Sequence, residues 1–148
     1  MVIKNSNGSE TLFEKADISV TPAGGSSDWG TASVNVSAAH LTPGQTYQVF
    51  VKGKMHLSKR VTLALSNHMT IDYTDPAINA DGVLLAGDVN GDDVVNGSDS
   101  SMVMRNYGAG VSIDPNSETY RCDINGDGAI NSVDIGYVNA NSGKTGDL

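Results

Sequence analysis

Through the first half of the chain the apolar residues fall at every second position: Ile18 and Val20; Ala32, Val34 and Val36; Tyr47, Val49 and Val51; Val61, Leu63 and Leu65; Ile71 and Tyr73. Period two is the repeat of a strand with one face buried. The segments between these runs, Pro22-Ala23-Gly24-Gly25-Ser26-Ser27, Thr42-Pro43-Gly44 and Ser66-Asn67-His68, carry turn chemistry. No stretch of this half sustains a 3.6-residue apolar repeat, so the pattern predicts a small antiparallel sandwich of about five to seven strands.

Beyond residue 80 the pattern changes. Aligning this half on itself exposes a duplication: Asp88-Val89-Asn90-Gly91-Asp92-Asp93-Val94-Val95-Asn96-Gly97-Ser98-Asp99 matches Asp123-Ile124-Asn125-Gly126-Asp127-Gly128-Ala129-Ile130-Asn131-Ser132-Val133-Asp134 at an offset of 35 residues. A hard cation such as calcium takes about six to eight oxygens, and a 12-residue loop supplies them from positions 1, 3, 5, the carbonyl of 7, 9 and 12. Those positions are Asp88, Asn90, Asp92, the Val94 carbonyl, Asn96 and Asp99 in the first loop, and Asp123, Asn125, Asp127, the Ala129 carbonyl, Asn131 and Asp134 in the second. Asn-Gly-Asp runs are also ordinary turns, but two copies agreeing at six positions each favour two calcium sites. Position 6 needs a sharp turn: Gly128 complies and Asp93 departs, which weakens the first loop in expectation. Position 12 is Asp in both loops, one methylene shorter than the Glu of an EF-hand. Position 8 is Val95 and Ile130, apolar residues suited to a short two-stranded contact between paired loops.

Each loop runs into a helical pattern. Val103 and Tyr107 follow Asp99 at i,i+4 with Gly108 as a C-cap, and Ile135 and Val138 follow Asp134 with Gly143 closing the segment. Gly82 to Gly87 is too short and glycine-bounded for a helix leading into the first loop. Between the repeats, Asp114-Pro115 predicts an N-cap and first turn of a short helix running to about Arg121.

A duplicated D-x-N-x-D loop followed by a single helix, with a short middle helix, resembles the dockerin modules of cellulosome-type assemblies over residues 86 to 146, the motifs being Gly87-Asp88-Val89-Asn90-Gly91-Asp92 and Cys122-Asp123-Ile124-Asn125-Gly126-Asp127-Gly128. The resemblance implies a calcium-dependent fold and a cohesin module of a scaffolding or cell-surface protein as partner. It implies contact through loop positions 10 and 11 and the following helix: Gly97, Ser98, Met104 and Arg105 in the first repeat, Ser132, Val133, Asn139 and Ala140 in the second. These two sets differ in every residue type, which implies one preferred binding orientation. Met102 and Met104 fit a docking face and a packed core equally. Leu41-Thr42-Pro43-Gly44-Gln45-Thr46-Tyr47-Gln48-Val49 resembles the approach to the tyrosine corner of fibronectin-like and immunoglobulin-like sandwiches, and the neutral half resembles the X modules that precede dockerins. The expected fold is therefore two small domains: an all-β Ig/fibronectin-like sandwich over residues 1–80 and an all-α dockerin over 81–148.

Charge sharpens that division. The first 80 residues carry six acidic and six basic side chains, whereas residues 81–148 carry ten Asp and one Glu against Arg105, Arg121 and Lys144, so the whole net charge of −8 lies in the second half. A polyanionic partner such as nucleic acid is repelled by it. The length of 148 residues excludes a catalytic barrel. A G-x-S-x-G elbow is absent, Gly143-Lys144-Thr145 lacks the first glycine of a phosphate loop because Val138 stands there, and His40, His56 and His68 have no nucleophilic or acidic partner at motif spacing. Trp29 reads as core in preference to a sugar platform, Cys122 as a small buried hydrophobe, and Lys52, Lys54, Lys59 and Arg60 as a solvated face. The N-terminus carries no basic region followed by an apolar stretch, so no export signal is expected within this segment. Loops without a Glu clamp suit the abundant calcium outside cells. The leading expectation is a non-catalytic docking module; the alternative is a calcium-stabilised structural module of a secreted or surface protein without a cohesin partner.

Overall fold

The computed structural model describes residues 1–16, 18–22, 30–66, 70–73, 75 and 83–148, with the side chains of 22, 30 and 38 left aside. The chain forms two compact units that interleave in sequence: Met1–Val51 with Val61–Ile71, and Lys52–Arg60 with Asp72–Leu148. The units thus depart from a single boundary at residue 80. Lys52–Arg60 is grouped with the acidic half because Leu57 lies in that half's core and Leu57 N donates to Leu85 O at 2.8 Å. Trp29 and His68 lie outside the described residues.

The first unit is built on a four-stranded antiparallel sheet in the order β2-β1-β5-β6, from β1 (Val2–Asn5), β2 (Thr11–Glu14), β5 (Thr46–Val51) and β6 (Lys59–Ala64). A second ladder joins the two-residue strands β3 (Thr21–Pro22) and β4 (Gly30–Thr31). Alternation located β5 and β6. It missed β1 and β2, whose apolar residues come as the doublets Val2-Ile3 and Leu12-Phe13, yet Ile3 pairs with Phe13 on one side and Val49 on the other. Conversely, Val34 and Val36 alternate in burial with exposed neighbours but join no strand, and the segment ends in a 3-10 turn at Ser37–Ala39. The strands expected at Ile18–Val20 and Ile71–Tyr73 are likewise not formed among the described residues. The described residues thus form six strands, arranged as one four-stranded antiparallel sheet and one two-stranded ladder.

Tyr47 anchors this unit's core with Ile3 and Val49. Its hydroxyl accepts a hydrogen bond from Thr42 N at 2.9 Å, five residues upstream across the Thr42-Pro43-Gly44 turn. That is the contact expected of a tyrosine corner.

The second unit contains α1 (Gly97–Arg105), α2 (Glu118–Cys122) and α3 (Ser132–Asn141). Its core is Leu57, Val89, Val95, Val103, Cys122, Ile124, Ile130 and Val138. Cys122 is fully buried, as expected of a small hydrophobe; desolvation and the Glu118 charge push its thiol up to about 11, which makes it a poor nucleophile at neutral pH. The middle helix starts later than expected. Asp114 closes a turn by accepting from Asn116 N at 2.9 Å, and the helix cap is Ser117, whose hydroxyl accepts from Tyr120 N at 3.1 Å. No helix precedes the first loop among residues 83 to 87, in agreement with the sequence.

Gly87 shows how tightly this core closes. Its φ of +120° disfavours any side chain. A Cβ there would stand 3.1 Å from Val138 Cα and 3.2 Å from Val95 Cγ1. Gly87→Ala is expected to cost about 2 kcal/mol or more, from overpacking and backbone strain together. A melting temperature within a degree or two of wild type would contradict this packing.

Candidate metal centres and docking face

The two loops are closed by closely similar sets of hydrogen bonds, with one difference at position 1, where Asp88 accepts from the position-4 amide and Asp123 from the position-5 amide. In the first, the Asp99 carboxylate accepts from Val89 N at 2.8 Å and Asn90 N at 3.1 Å on one oxygen, and from Asn96 N at 2.9 Å on the other. In the second, Asp134 accepts from Ile124 N at 2.7 Å, Asn125 N at 3.4 Å and Asn131 N at 2.9 Å. Each position-12 Asp is therefore both a loop closer and the third residue of a capping box, whose other half is Asn96 or Asn131. Helix and loop are thus one unit: α1 and α3 begin inside the loops, at position 10.

Position 1 is held in the same way. Asp88 accepts from Gly91 N at 2.8 Å and Asp93 N at 3.0 Å; Asp123 accepts from Asp127 N at 3.1 Å and Gly128 N at 2.9 Å. The position-5 carboxylates accept from the backbone at position 7, Val94 N to Asp92 at 3.0 Å and Ala129 N to Asp127 at 2.9 Å. The side-chain oxygens of Asn90 and Asn125 accept from Asp92 N and Asp127 N. Position 6 takes the left-handed conformation in both loops, with φ of +67° at Asp93 and +86° at Gly128. The departure from glycine thus changes the residue without changing the turn.

Asp88, Asp99 and Asp134 are wholly buried and Asp123 is 6% exposed. Four carboxylates in this state are costly unless something neutralises them. No three acidic, His or Cys side chains are gathered into a metal cage among the described residues; the donor set draws on Asn side chains and peptide carbonyls as well. All of these donors are oxygens, which suits a hard cation and is a poor match to zinc or copper.

The apolar position-8 residues do not join loop to loop. Val95 N donates to Lys144 O at 2.9 Å and accepts at its own carbonyl from Gly143 N at 2.8 Å, while Ile130 O accepts from Gly108 N at 2.9 Å. The isolated bridges Val94–Thr145 and Ala129–Gly110 repeat this relation. Each loop is clasped by the chain that follows the other repeat's helix, a reciprocal pattern that follows the sequence duplication.

All eight residues expected at the docking face are exposed: Gly97, Ser98, Met104 and Arg105, and Ser132, Val133, Asn139 and Ala140. Met104 is 64% exposed, whereas Met102 packs against the core, which separates the two methionines. Arg105 is paired with Glu118, Nη2 to Oε1 at 2.5 Å.

Lys52 and Lys59 are partly buried and paired with carboxylates, which corrects their reading as a solvated face, whereas Lys54 and Arg60 are exposed as that reading expects. Lys52 Nζ bonds directly to Asp88 and lies 3.0 Å from Asp93 Oδ1. Lys54 Nζ reaches Asn116 Oδ1 at 3.0 Å, and Lys59 lies 3.9 Å from Asp147. Asp93 also accepts from Ser58 N at 2.7 Å and Ser58 Oγ at 2.5 Å. Desolvation pushes its carboxyl up, but the Ser58 and Lys52 hydrogen bonds outweigh that and hold it below the usual range. Lys52 and Ser58 are partners of the first loop that sequence reasoning missed; the one available signal was Asp93, an Asp where a glycine is expected.

A duplicated, oxygen-lined loop–helix module with an exposed helical face defines the class: a calcium-stabilised protein-docking unit. Residues 86–141 match the family model of the dockerin type I domain, and the chain carries a dockerin module there. Dockerin type I domains bind calcium in duplicated loops and dock to the cohesin modules of scaffoldins; they are non-catalytic and occur in secreted or cell-surface components. No curated protein and no solved structure matches the chain. No helix among the described residues is long and apolar enough to cross a membrane.

Proposed function

We propose that this chain anchors its parent protein to a cohesin-bearing scaffold or cell-surface complex outside the cell, with the first unit acting as an X-module-like spacer or stabiliser. The observation that carries this reading is the repetition of two loops, each closed by its position-12 Asp on three backbone amides, whose helices leave the expected contact residues in solvent. Two calcium ions are held by Asp88, Asn90, Asp92, the Val94 carbonyl, Asn96 and Asp99, and by Asp123, Asn125, Asp127, the Ala129 carbonyl, Asn131 and Asp134. The ions bring the −8 charge of residues 81–148 to −4 and hold the loops shut, which fixes the register of α1 and α3.

The two helical faces are chemically different. Gly97, Ser98, Met104 and Arg105 offer a small-residue start followed by an exposed thioether and a cation. Ser132, Val133, Asn139 and Ala140 offer a branched apolar residue and an amide. One orientation on the cohesin is therefore favoured. The test is a pair of double variants, Gly97→Asp with Ser98→Asp and Ser132→Asp with Val133→Asp; acidic residues in a first helical turn leave the helix intact. One pair alone is expected to weaken cohesin binding at least about tenfold, equivalent to roughly 1.4 kcal/mol, while the other has little effect. Two mild single effects that abolish binding only in combination would mean that both orientations are used.

A further inference from the structure

The two loops share the backbone bonds of their position-12 carboxylates but not their surroundings. In the second loop, Asp123 accepts only backbone N–H groups among the described residues, and position 6 is a glycine. In the first loop a cation is already present: Lys52 Nζ bonds to the buried Asp88 at Oδ2 and to Asp93 Oδ1, and is fixed further by the His56 carbonyl at 2.9 Å. Lys52 is itself mostly buried, its side chain 23% exposed. Asp93 pins this arrangement. Its oxygens also accept from Ser58 N, Ser58 Oγ and Leu148 N, so the 52–60 segment and the chain's last residue are tied to one left-handed residue of the loop. Gly146 belongs to the same closure, because a Cβ there would overlap the Asp93 carboxylate.

We propose that Lys52 sets the calcium affinity of the first loop and makes it the weaker of the two sites, so that the second loop loads first; the inference rests on the calcium reading of both loops. Calcium affinity in such loops is tuned by the charge of the ligand set. Both sets contain three carboxylates, at positions 1, 5 and 12, but in the first loop the position-1 carboxylate is already partly neutralised by an ammonium ion. That charge also repels the arriving dication, and so close to buried groups the repulsion is little screened by salt. Asp93 supplies a counter-charge, but it is not one of the expected ligands, whereas the ammonium contacts Asp88, which is.

The experiment is a stepwise calcium titration of the full chain followed by amide NMR, using the position-4 glycines Gly91 and Gly126 and the position-6 Gly128 as reporters. In wild type, Gly126 and Gly128 are expected to reach their loaded positions with the first equivalent and Gly91 only with the second. Lys52→Gln, which keeps a donor without the charge, is expected to move the Gly91 step about tenfold lower in free calcium and leave Gly126 in place. Lys52→Arg is expected to keep the wild-type order. Gly91 and Gly126 loading together in wild type overturns the inference whatever the variants do, as does a Gly91 step unmoved in Lys52→Gln. If no glycine responds up to millimolar calcium, the calcium reading itself falls and this inference falls with it.

Discussion

Asp134→Ala is expected to remove one calcium ion from the binding stoichiometry and to lower the melting temperature of the helical unit by about 15 °C or more. The Asp134 carboxylate is fully buried and serves three backbone donors, Ile124 N, Asn125 N and Asn131 N. A buried donor left without an acceptor costs roughly 1–3 kcal/mol. Losing three at once amounts to roughly 3–5 kcal/mol, a large share of a small domain's total stability. For a unit of this size each kcal/mol is about 4–8 °C. The substitution also removes a capping box, so α3 loses the start that orients Ser132 and Val133. Asp134→Asn retains one carbonyl acceptor and is expected to fall between wild type and alanine in stability while still losing calcium. Differential scanning calorimetry and calcium titration check both. A variant that melts within two degrees of wild type and still binds two ions would remove Asp134 from the ligand set.

Excess EGTA is expected to unfold or melt the second unit, with loss of the helical circular dichroism signal. The reason is electrostatic. Asp88, Asp92, Asp99, Asp123, Asp127 and Asp134 lie within a 47-residue span, four of them buried or nearly so. Backbone N–H groups and Lys52 compensate part of that charge, and metal supplies the rest, so metal-binding energy becomes folding energy. The first unit has its own core around Ile3, Tyr47 and Val49 and no calcium loop. Its sheet signal is therefore expected to survive chelation, which distinguishes local melting from global collapse. A spectrum and melting curve unchanged by EGTA would contradict this account of stability.

Much of the loop geometry was legible because the residues that close each loop are nearly consecutive. Each expected ligand is placed relative to its neighbours by the 12-residue loop itself, and the duplication supplies an internal check. The exposure of Gly97, Ser98, Ser132 and Val133 followed for the same local reason, since they open helices that start inside the loops. What the sequence hid was long-range. Nothing in the run from Lys52 to Arg60 indicates that Leu57 belongs to a core whose other members start at Val89, or that Lys52 meets Asp88. The reciprocal clasp of each loop by the residues after the other helix was invisible for the same reason. In the first unit, alternation identified the strands that bury one face, β5 and β6. It failed at β1 and at the edge strand β2, whose apolar residues come as doublets, and it overcounted at Val34 and Val36, which join no strand.

The most direct test of the central claim is calorimetric titration of the whole chain with a panel of cohesin modules of different types, first in calcium and then in excess EGTA. The expected result is tight one-to-one binding to at least one cohesin that disappears in chelator and returns when calcium is restored. Calcium uptake without binding to any cohesin in the panel would contradict the docking function and leave a calcium-stabilised structural module in its place.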